Sequence, residues 1–476
     1  MSYKNFAILG ISSFLCLHAA SAVAENLMEI YQRALQNDPA IREAEAVYLS
    51  GIEAKPQARS NVLPALNLSA GLGTSNSEDP NRPINFATGA VDPNILSTEV
   101  ERDSSNWALS LSQTVFDWGV FLQLKQADKV VARAQAFYQV AQQDLLVRVA
   151  NTYFLVLAAE DTLAAEQSAR EAIGRQLEQA QRRFEVGLIA ITDVQEAQAG
   201  YDLAVATEIA AQQNLATTQE FLREIIGEYV QDLAGPASEI PLATPQPADV
   251  QAWVNQALEQ NLLLTTNRIS ADIARDSVSI QRSVRLPSLN LSGSLAHSST
   301  DNVRINNLIA GAPCFQAPPC PPIQSPSQTA SDTVSWSLSL RVPIYTGGFN
   351  SSRIQQAVYD HRASIEALER IARQTEREAR DAYLSVLSEI SRVRALAQAV
   401  ESSKTALRAT EAGFEVGTRT TVDVLTSQNN LRRAETTYAR SRYDYILNVL
   451  RLKLAAGTLS IQDLEEVNSW LEASTT

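Results

Sequence analysis

Side chains able to do covalent or metal chemistry are scarce in this 476-residue chain. Beyond the first 24 residues, the cysteine, histidine and methionine types reduce to Cys314, Cys320, His297, His361 and Met28. There is no His/Cys cluster, no Gly-rich phosphate loop and no nucleophile motif, so neither an enzyme nor a bound metal or cofactor is expected. Cys314 and Cys320 share one Pro-rich loop. In an exported chain two nearby cysteines most simply form one disulfide, with two free thiols as the alternative; a zinc site needs more ligands. What remains is the chemistry of arginine, carboxylate and helix end. Asp193 and Asp423 each follow a glycine by six residues, Gly187 and Gly417, and Arg419 sits beside the second. Thr420-x-x-Asp423 reads as a capping box, and Asp193 falls in a first turn where the helix dipole favours an anion.

These residues recur because the chain repeats itself at an offset of about 230. Phe184-Glu185-Val186-Gly187 returns as Phe414-Glu415-Val416-Gly417, and Thr192-Asp193-Val194 returns as Val422-Asp423-Val424. Leu63-Pro64-Ala65-Leu66-Asn67-Leu68-Ser69 returns as Leu286-Pro287-Ser288-Leu289-Asn290-Leu291-Ser292, and Trp107-Ala108-Leu109-Ser110-Leu111 as Trp336-Ser337-Leu338-Ser339-Leu340. A duplication of this extent makes each half one structural unit. The expected division is 25–233 for the first repeat, 234–249 for a Pro- and Ala-rich linker, and 250–476 for the second.

Residues 1–24 read as a secretory signal: Lys4, an apolar stretch from Phe6 to Leu17, and the small-x-small site Ala22-Val23-Ala24. Cys16 lacks the flanking residues of a lipid-anchoring site. The net charge of −14 argues against nucleic acid, which needs a basic face. No later apolar run reaches the 18 or so residues of a membrane helix, which leaves a β-barrel open.

The elements that must position the tips are long helices. Between Gly119 and Glu185 the interior holds no Pro and one Gly, Gly174, among strong helix formers. Leu124, Ala127, Val131, Ala134, Tyr138, Ala141 and Leu145 alternate spacings of three and four, a heptad seam. With its counterpart from Phe349 and second helices near Thr192–Ile226 and Thr421–Ala456, this gives helical hairpins over about 119–226 and 348–456. Shorter helices are expected at Leu27–Asn37, Pro39–Ser60 and Val250–Val284. Four segments, about 63–74, 104–116, 286–298 and 332–344, alternate apolar and polar residues, as transmembrane barrel strands do. A half-buried soluble sheet alternates identically. The signal and the long polar loops 74–103 and 298–331 favour the barrel, with Trp107, Phe116, Trp118, Trp336 and Tyr345 as interfacial aromatics.

Four strands cannot close a membrane barrel, so copies of the chain must pool strands. A helix of 67 residues is about 100 Å long, against a hydrocarbon core of about 30 Å, and must project well beyond the membrane.

At this point the sequence resembles a known family. Arg183-Phe184-Glu185-Val186-Gly187-Leu188-Ile189-Ala190-Ile191-Thr192-Asp193-Val194-Gln195 is similar to the hairpin-tip signature of the TolC family of outer-membrane efflux proteins. Val416-Gly417-Thr418-Arg419-Thr420-Thr421-Val422-Asp423-Val424-Leu425 resembles its second-repeat partner, and Val342-Pro343-Ile344-Tyr345-Thr346-Gly347-Gly348 and Ala456-Gly457-Thr458-Leu459 fit as well. The resemblance implies a mainly α, internally duplicated protomer. Its homotrimer would form a twelve-stranded transmembrane β-barrel continued by a periplasmic α-helical barrel. The implied function is an outer-membrane exit duct of a Gram-negative bacterium, serving efflux pumps or type I secretion. Partners would be outer-membrane lipid, a periplasmic adaptor and an inner-membrane RND, MFS or ABC transporter.

The same resemblance assigns a gate at the tips. Its latch would be Thr192 and Asp193 against Arg419, with Gln176 and Glu411 in the surrounding polar network. Phe414 stands where the family has a latch tyrosine, which implies a looser gate. Asp423 keeps the first acidic constriction ring, while Thr426 occupies the second, which implies weaker cation selectivity and weaker block by multivalent cations. Val186, Gly187, Leu188 and Ala190 with Val416, Gly417, Thr418 and Arg419 would contact the adaptor; their plainer role is that of turn residues. The competing expectations are a secreted oligomeric coiled-coil structural protein, a simple diffusion porin, for which the helices are superfluous, and a hydrolase, for which no residue constellation exists.

Overall fold

The computed structural model describes residues 24–79, 95–230, 232–237, 240–308 and 321–472. The expected signal segment and the expected Cys314–Cys320 disulfide lie outside the described residues.

In chain order the elements are α1 (Leu27–Asn37), α2 (Pro39–Ile52), α3 (Ala54–Ser60), β1 (Ala65–Asp79), β2 (Ile95–Phe116), α4 (Trp118–Glu185), α5 (Ile191–Ile226) and β3 (Gly235–Pro236). The second half continues with α6 (Val250–Gln260), α7 (Leu262–Ser283), β4 (Ser288–Leu308), β5 (Ile323–Arg341), α8 (Phe349–Glu415), α9 (Thr421–Ala456), α10 (Ile461–Asn468) and β6 (Leu471–Glu472). The long helices come in matched lengths, 68 and 67 residues for α4 and α8, and 36 each for α5 and α9. Among the described residues no helix is long and apolar enough to cross a membrane.

The chain forms two compact units, and each draws on both halves of the sequence. One comprises residues 49–134 and 267–367 and contains a four-stranded antiparallel sheet in the order β1-β2-β4-β5. Its register is what the alternation could not supply. Leu68 pairs with Leu109, Leu109 with Leu295, and Leu295 with Val334; Leu66, Leu111, Leu291, Leu338 and Trp336 fall on the same side. Asn67, Ser110, Ser294 and Ser335 fall on the other. One face is therefore apolar and open: Leu68 is 72 % exposed and Trp336 67 %. The Trp336 ring lies flat on Gly293, where a Cβ would meet it at 2.6 Å.

The strands run further than the alternation indicates. β2 has 22 residues, β4 21 and β5 19, so the polar stretches expected as loops are partly paired backbone. Beyond Trp107 both faces of β2 are polar, through Ser104, Asp103, Arg102 and Glu101, which erases the period without breaking the ladder. Below the sheet, Gln126 Nε2 donates to Ile273 O (2.8 Å) and Ser277 Oγ (2.9 Å), and Gly51 lets α2 approach Ala134.

The other unit comprises residues 24–48, 135–266 and 368–472 of the described chain and holds the principal core. Leu27, Ile30, Leu145, Tyr153, Phe154, Val386, Ile446, Leu450 and Leu464 are almost fully buried together. Two tyrosines pin the connecting segment to this core, and a third ties α9 to α4. Tyr153 OH donates to Ala234 O (2.6 Å) and Glu25 O (3.1 Å), Tyr445 OH to Pro241 O (3.1 Å), and Tyr443 OH to Asp161 Oδ2 (2.6 Å). Burial raises the phenol pKa of all three, so they stay neutral donors. Gly227 and Gly457, at φ +83° and +75°, close α5 and α9 in the left-handed conformation.

Candidate functional site: the hairpin tips

Each tip is a tight turn between a long helix and a 36-residue one. At the first, Gly187 N donates to Phe184 O (2.8 Å) and Leu188 N to Arg183 O (2.9 Å), closing α4 through Gly187 at φ +76°. At the second, Thr418 N donates to Gly413 O (2.8 Å), closing α8 through Gly417 at φ +78°. These paired 6→1 and 5→2 bonds are the Schellman arrangement, which the glycines permit. Arg182 and Arg183 occupy the last turn of α4, where the helix dipole favours a cation.

The two returns differ in how they are capped. Asp423 Oδ2 accepts from Thr420 N (2.9 Å) and Thr420 Oγ1 (3.0 Å), while Thr420 Oγ1 accepts from Asp423 N (3.3 Å), a reciprocal box. The Thr420 amide and hydroxyl, with a smaller part from Arg419, hold the Asp423 carboxyl below the usual carboxylate range. In the first tip Asp193 Oδ2 accepts from Ala190 N at 3.3 Å and Asp193 N donates to Ala190 O at 3.1 Å, but Ala190 has no side-chain oxygen to complete a box. Asp423 is thus held by both the amide and the hydroxyl of its cap residue, and Asp193 by an amide alone.

Arg419 Nη1 stands 4.0 Å from Asp423 Oδ1, at the limit of an ion pair, with its side chain 60 % exposed. Among the described residues it bonds neither Thr192 nor Asp193. Thr192 and Thr426 are exposed, as are Val186 (70 %), Leu188 (72 %) and Val416 (76 %) at the turn apices.

Gln176, Glu411 and Phe414 do come together. They line a cleft of about 280 Å³ between α4, α8 and α9, with Arg175, Glu415 and Gln428. Gln176 is 7 % exposed, and the buried Oε1 atoms of Gln176 and Gln428 have no hydrogen-bond partner. The Arg183 guanidinium lies 4.8 Å from the centre of the Phe414 ring, a cation–π contact between the two hairpins where the family has a tyrosine hydroxyl. Sequence reasoning missed Arg183. Its signal is the break in the repeat, since Arg183 corresponds to Gly413 in the second half. A Cβ at Gly413 would meet Arg419 Cγ at 2.8 Å, so the Arg419 side chain would have to move aside for a larger residue there.

Further from the apices, one buried charge pair joins the two hairpins and another joins α4 to α5 within the first. Arg432 pairs with Glu166, which also accepts from Thr207 Oγ1 (3.0 Å), and Arg170 pairs with Glu208 at 3.1 Å. Glu166 and Glu208 are 8 % and 6 % exposed, so these pairs are sensitive to loss of one partner. Gly200 admits Leu425 against α5, with a Cβ position 3.2 Å from Leu425 Cδ1. Among the described residues no group of His, Cys, Asp and Glu is placed to hold a metal ion.

Comparison with known proteins agrees with this architecture. The family described as Outer membrane efflux protein matches residues 30–228 and again 253–458. Outer membrane protein TolC of Vibrio cholerae serotype O1 is 36% identical over 471 residues, 99% of either chain. Alkaline protease secretion protein AprF of Pseudomonas aeruginosa is 28% identical, covering 98% of this chain and 92% of its own. Among solved structures, the Campylobacter jejuni CmeC outer membrane channel superposes with a TM-score of 0.72 at 16% identity, over 100% of this chain and 99% of its own, a likeness of fold. The chain belongs to the outer membrane efflux protein family and is an exit duct of the Gram-negative outer membrane.

Proposed function

We propose that three copies of this chain pool their sheets into a twelve-stranded barrel, and that the long helices continue it as a periplasmic tunnel closed at the hairpin tips. The observation that carries this is the four-stranded sheet itself. One face is apolar and exposed, and among the described residues β1 and β5 each leave an edge unpaired. Unpaired edges and a wet apolar face are both untenable in isolation; closure among copies in lipid removes both.

The aromatic spacing fits a membrane. Phe116 lies nine positions beyond Trp107 on β2, about 30 Å along the strand and about 23 Å across a bilayer at a ~40° tilt. Outer-membrane barrels carry an apolar band of about 25 Å. The constant offset linking Gly187 to Gly417 and Gly227 to Gly457 supports duplication into repeats 25–233 and 250–476, joined by the linker 234–249, after a signal at 1–24.

The tips would act as gate and docking surface. Arg419 is exposed and only loosely held by Asp423, so its guanidinium could reach Thr192 and Asp193 of a neighbouring copy. A partly solvated pair of that kind is worth about 0–1 kcal/mol, weak enough for an iris-like opening. The exposed Val186, Leu188 and Val416, with Gly187, Ala190, Gly417, Thr418 and Arg419, suit an adaptor that leads from an inner-membrane transporter. Membership of a family described by efflux and likeness to AprF, named for alkaline protease secretion, support both effluxed compounds and secreted protein as cargo.

The test is the mass of the detergent-purified protein by native mass spectrometry, together with drug sensitivity of a strain lacking it. Three copies per particle and a sensitised strain are expected. A monomer, or a strain unaffected under every transporter tested, would contradict the duct.

A further inference from the structure

The four-stranded sheet holds, inside one chain, a template for the pairing of its own open edges. The repeated segments fix which residues correspond. Leu66, Leu68 and Ala70 on β1 answer to Leu289, Leu291 and Gly293 on β4; Trp107, Leu109 and Leu111 on β2 answer to Trp336, Leu338 and Leu340 on β5. The observed pairings obey this correspondence residue for residue. Leu66 faces Leu111, Leu68 faces Leu109 and Ala70 faces Trp107. Their counterparts do the same: Leu289 faces Leu340, Leu291 faces Leu338 and Gly293 faces Trp336. The β2–β4 seam is therefore the junction of the first repeated hairpin with the second. A ring of copies needs one further kind of junction, the second hairpin with the first hairpin of the next copy.

We infer that β5 of one copy pairs antiparallel with β1 of the next in the register of the β2–β4 seam, with Leu338 opposite Leu72 and Ser335 opposite Ser75. This rests on the proposal that copies pool their sheets, and adds which residues meet. In the seam Leu109 faces Leu295 and Asn106 faces Ser298. Exchanging each residue for its counterpart gives the two new pairs, and likewise Trp336 with Thr74 and Leu340 with Ala70. Exposure marks the missing strand. Leu109 and Leu295, in the interior strands, are 39 % and 40 % exposed; their edge counterparts Leu338 and Leu72 are 62 % and 89 % exposed. The register also keeps Trp336, Leu338 and Leu340 on the apolar side with Ala70 and Leu72, which a slip of one residue would reverse. A slip of two preserves the faces, and only the repeat excludes it. Asp332 falls opposite Glu78, a like-charged pair, but Asp332 is joined to His297 at 2.7 Å and the sheet already sets Asp103 opposite Asp301.

The experiment is disulfide trapping in the detergent-purified full-length protein, with Cys314→Ser and Cys320→Ser removing the native thiols beyond residue 24. Directly opposed residues of antiparallel strands have Cα atoms about 4.5–5.5 Å apart, within disulfide reach. Ser75→Cys with Ser335→Cys, and Leu72→Cys with Leu338→Cys on the other face, should each link copies into covalent dimers and trimers on oxidation, with loss of most of the monomer band. Ser75→Cys with Thr333→Cys, or with Ser337→Cys, sets the thiols on a diagonal of about 7–8 Å and should leave the chains monomeric in denaturant. Linkage through either diagonal pair in place of the opposed ones would overturn the register and leave the pooled sheets standing. Trimers by native mass spectrometry with no linkage in any pair would overturn this edge pairing alone. A single copy per particle would overturn the pooling and the register with it.

Discussion

Asp423 is one carboxylate with two roles that its geometry makes compatible. Both Thr420 bonds fall on Oδ2, and Oδ1 faces Arg419 at 4.0 Å. The cap therefore holds the charge ionised without consuming all of it. In the proposed trimer, copies of Asp423 form a ring that attracts cations. Asp423→Asn should retain part of the cap and lose the ring's charge, lowering cation preference in the reversal potential under a KCl gradient. An unshifted potential would place selectivity elsewhere. Arg183 on Phe414 is a second residue-scale device. Arg183→Ala should forfeit about 0.5–1 kcal/mol of contact between hairpins and raise the open fraction of single channels. Phe414→Tyr, restoring the hydroxyl of the family, should lengthen closures; open times unchanged in both variants would remove this contact from the gate. Of these features the capping box was legible, because Thr420-x-x-Asp423 is a local pattern. The Arg183–Phe414 contact was not, because it joins residues 231 positions apart through packing of α4 on α8.

At the scale of elements, the long helices carry buried charge whose state depends on pH. Burial, then Asp161, then Asp232 push the Glu160 carboxyl on α4 up to about 7 from 4.5. The folded chain thus retains a proton that the unfolded chain releases in that window. Stability is greatest with Glu160 protonated and declines as pH rises through about 7. Glu160→Gln should be close to neutral at pH 5 and stabilising by about 1–2 kcal/mol at pH 8, after allowance for partial solvent screening. The check is thermal unfolding followed by helical ellipticity at both values; a pH-independent difference contradicts the assignment. Gly457 ends α9 at φ +75°, and a Cβ there would meet Gln260 O at 2.4 Å. Gly457→Ala should cost about 2 kcal/mol or more, seen as a lower melting temperature.

Helix length and the two tip glycines were written in composition and period. The strands were legible only where one face must be apolar. Past Trp107 on β2 the polar residues leave no period, although Asp103, Arg102 and Glu101 still pair with Asp301, Asn302 and Val303. Register, and with it the gathering of Leu68, Leu109, Leu295 and Val334 on one face, comes from strand pairing and is absent from any single strand.

For the whole molecule the decisive fact is incompleteness. Among the described residues the chain exposes an apolar sheet face, unpaired strand edges and apolar turn apices, which the proposed duct would cover with lipid, with its own copies and with a partner. In the duct proposed from these surfaces, Arg419 would hold the tips shut by reaching across to Thr192 and Asp193 of the next copy. Its most direct test is planar-bilayer conductance of the purified protein, comparing wild type with Arg419→Ser. The account predicts a small, cation-preferring conductance in the wild type that rises sharply in Arg419→Ser. A wild-type pore that the substitution leaves unaltered would contradict closure by that latch, and the absence of any pore would contradict the duct.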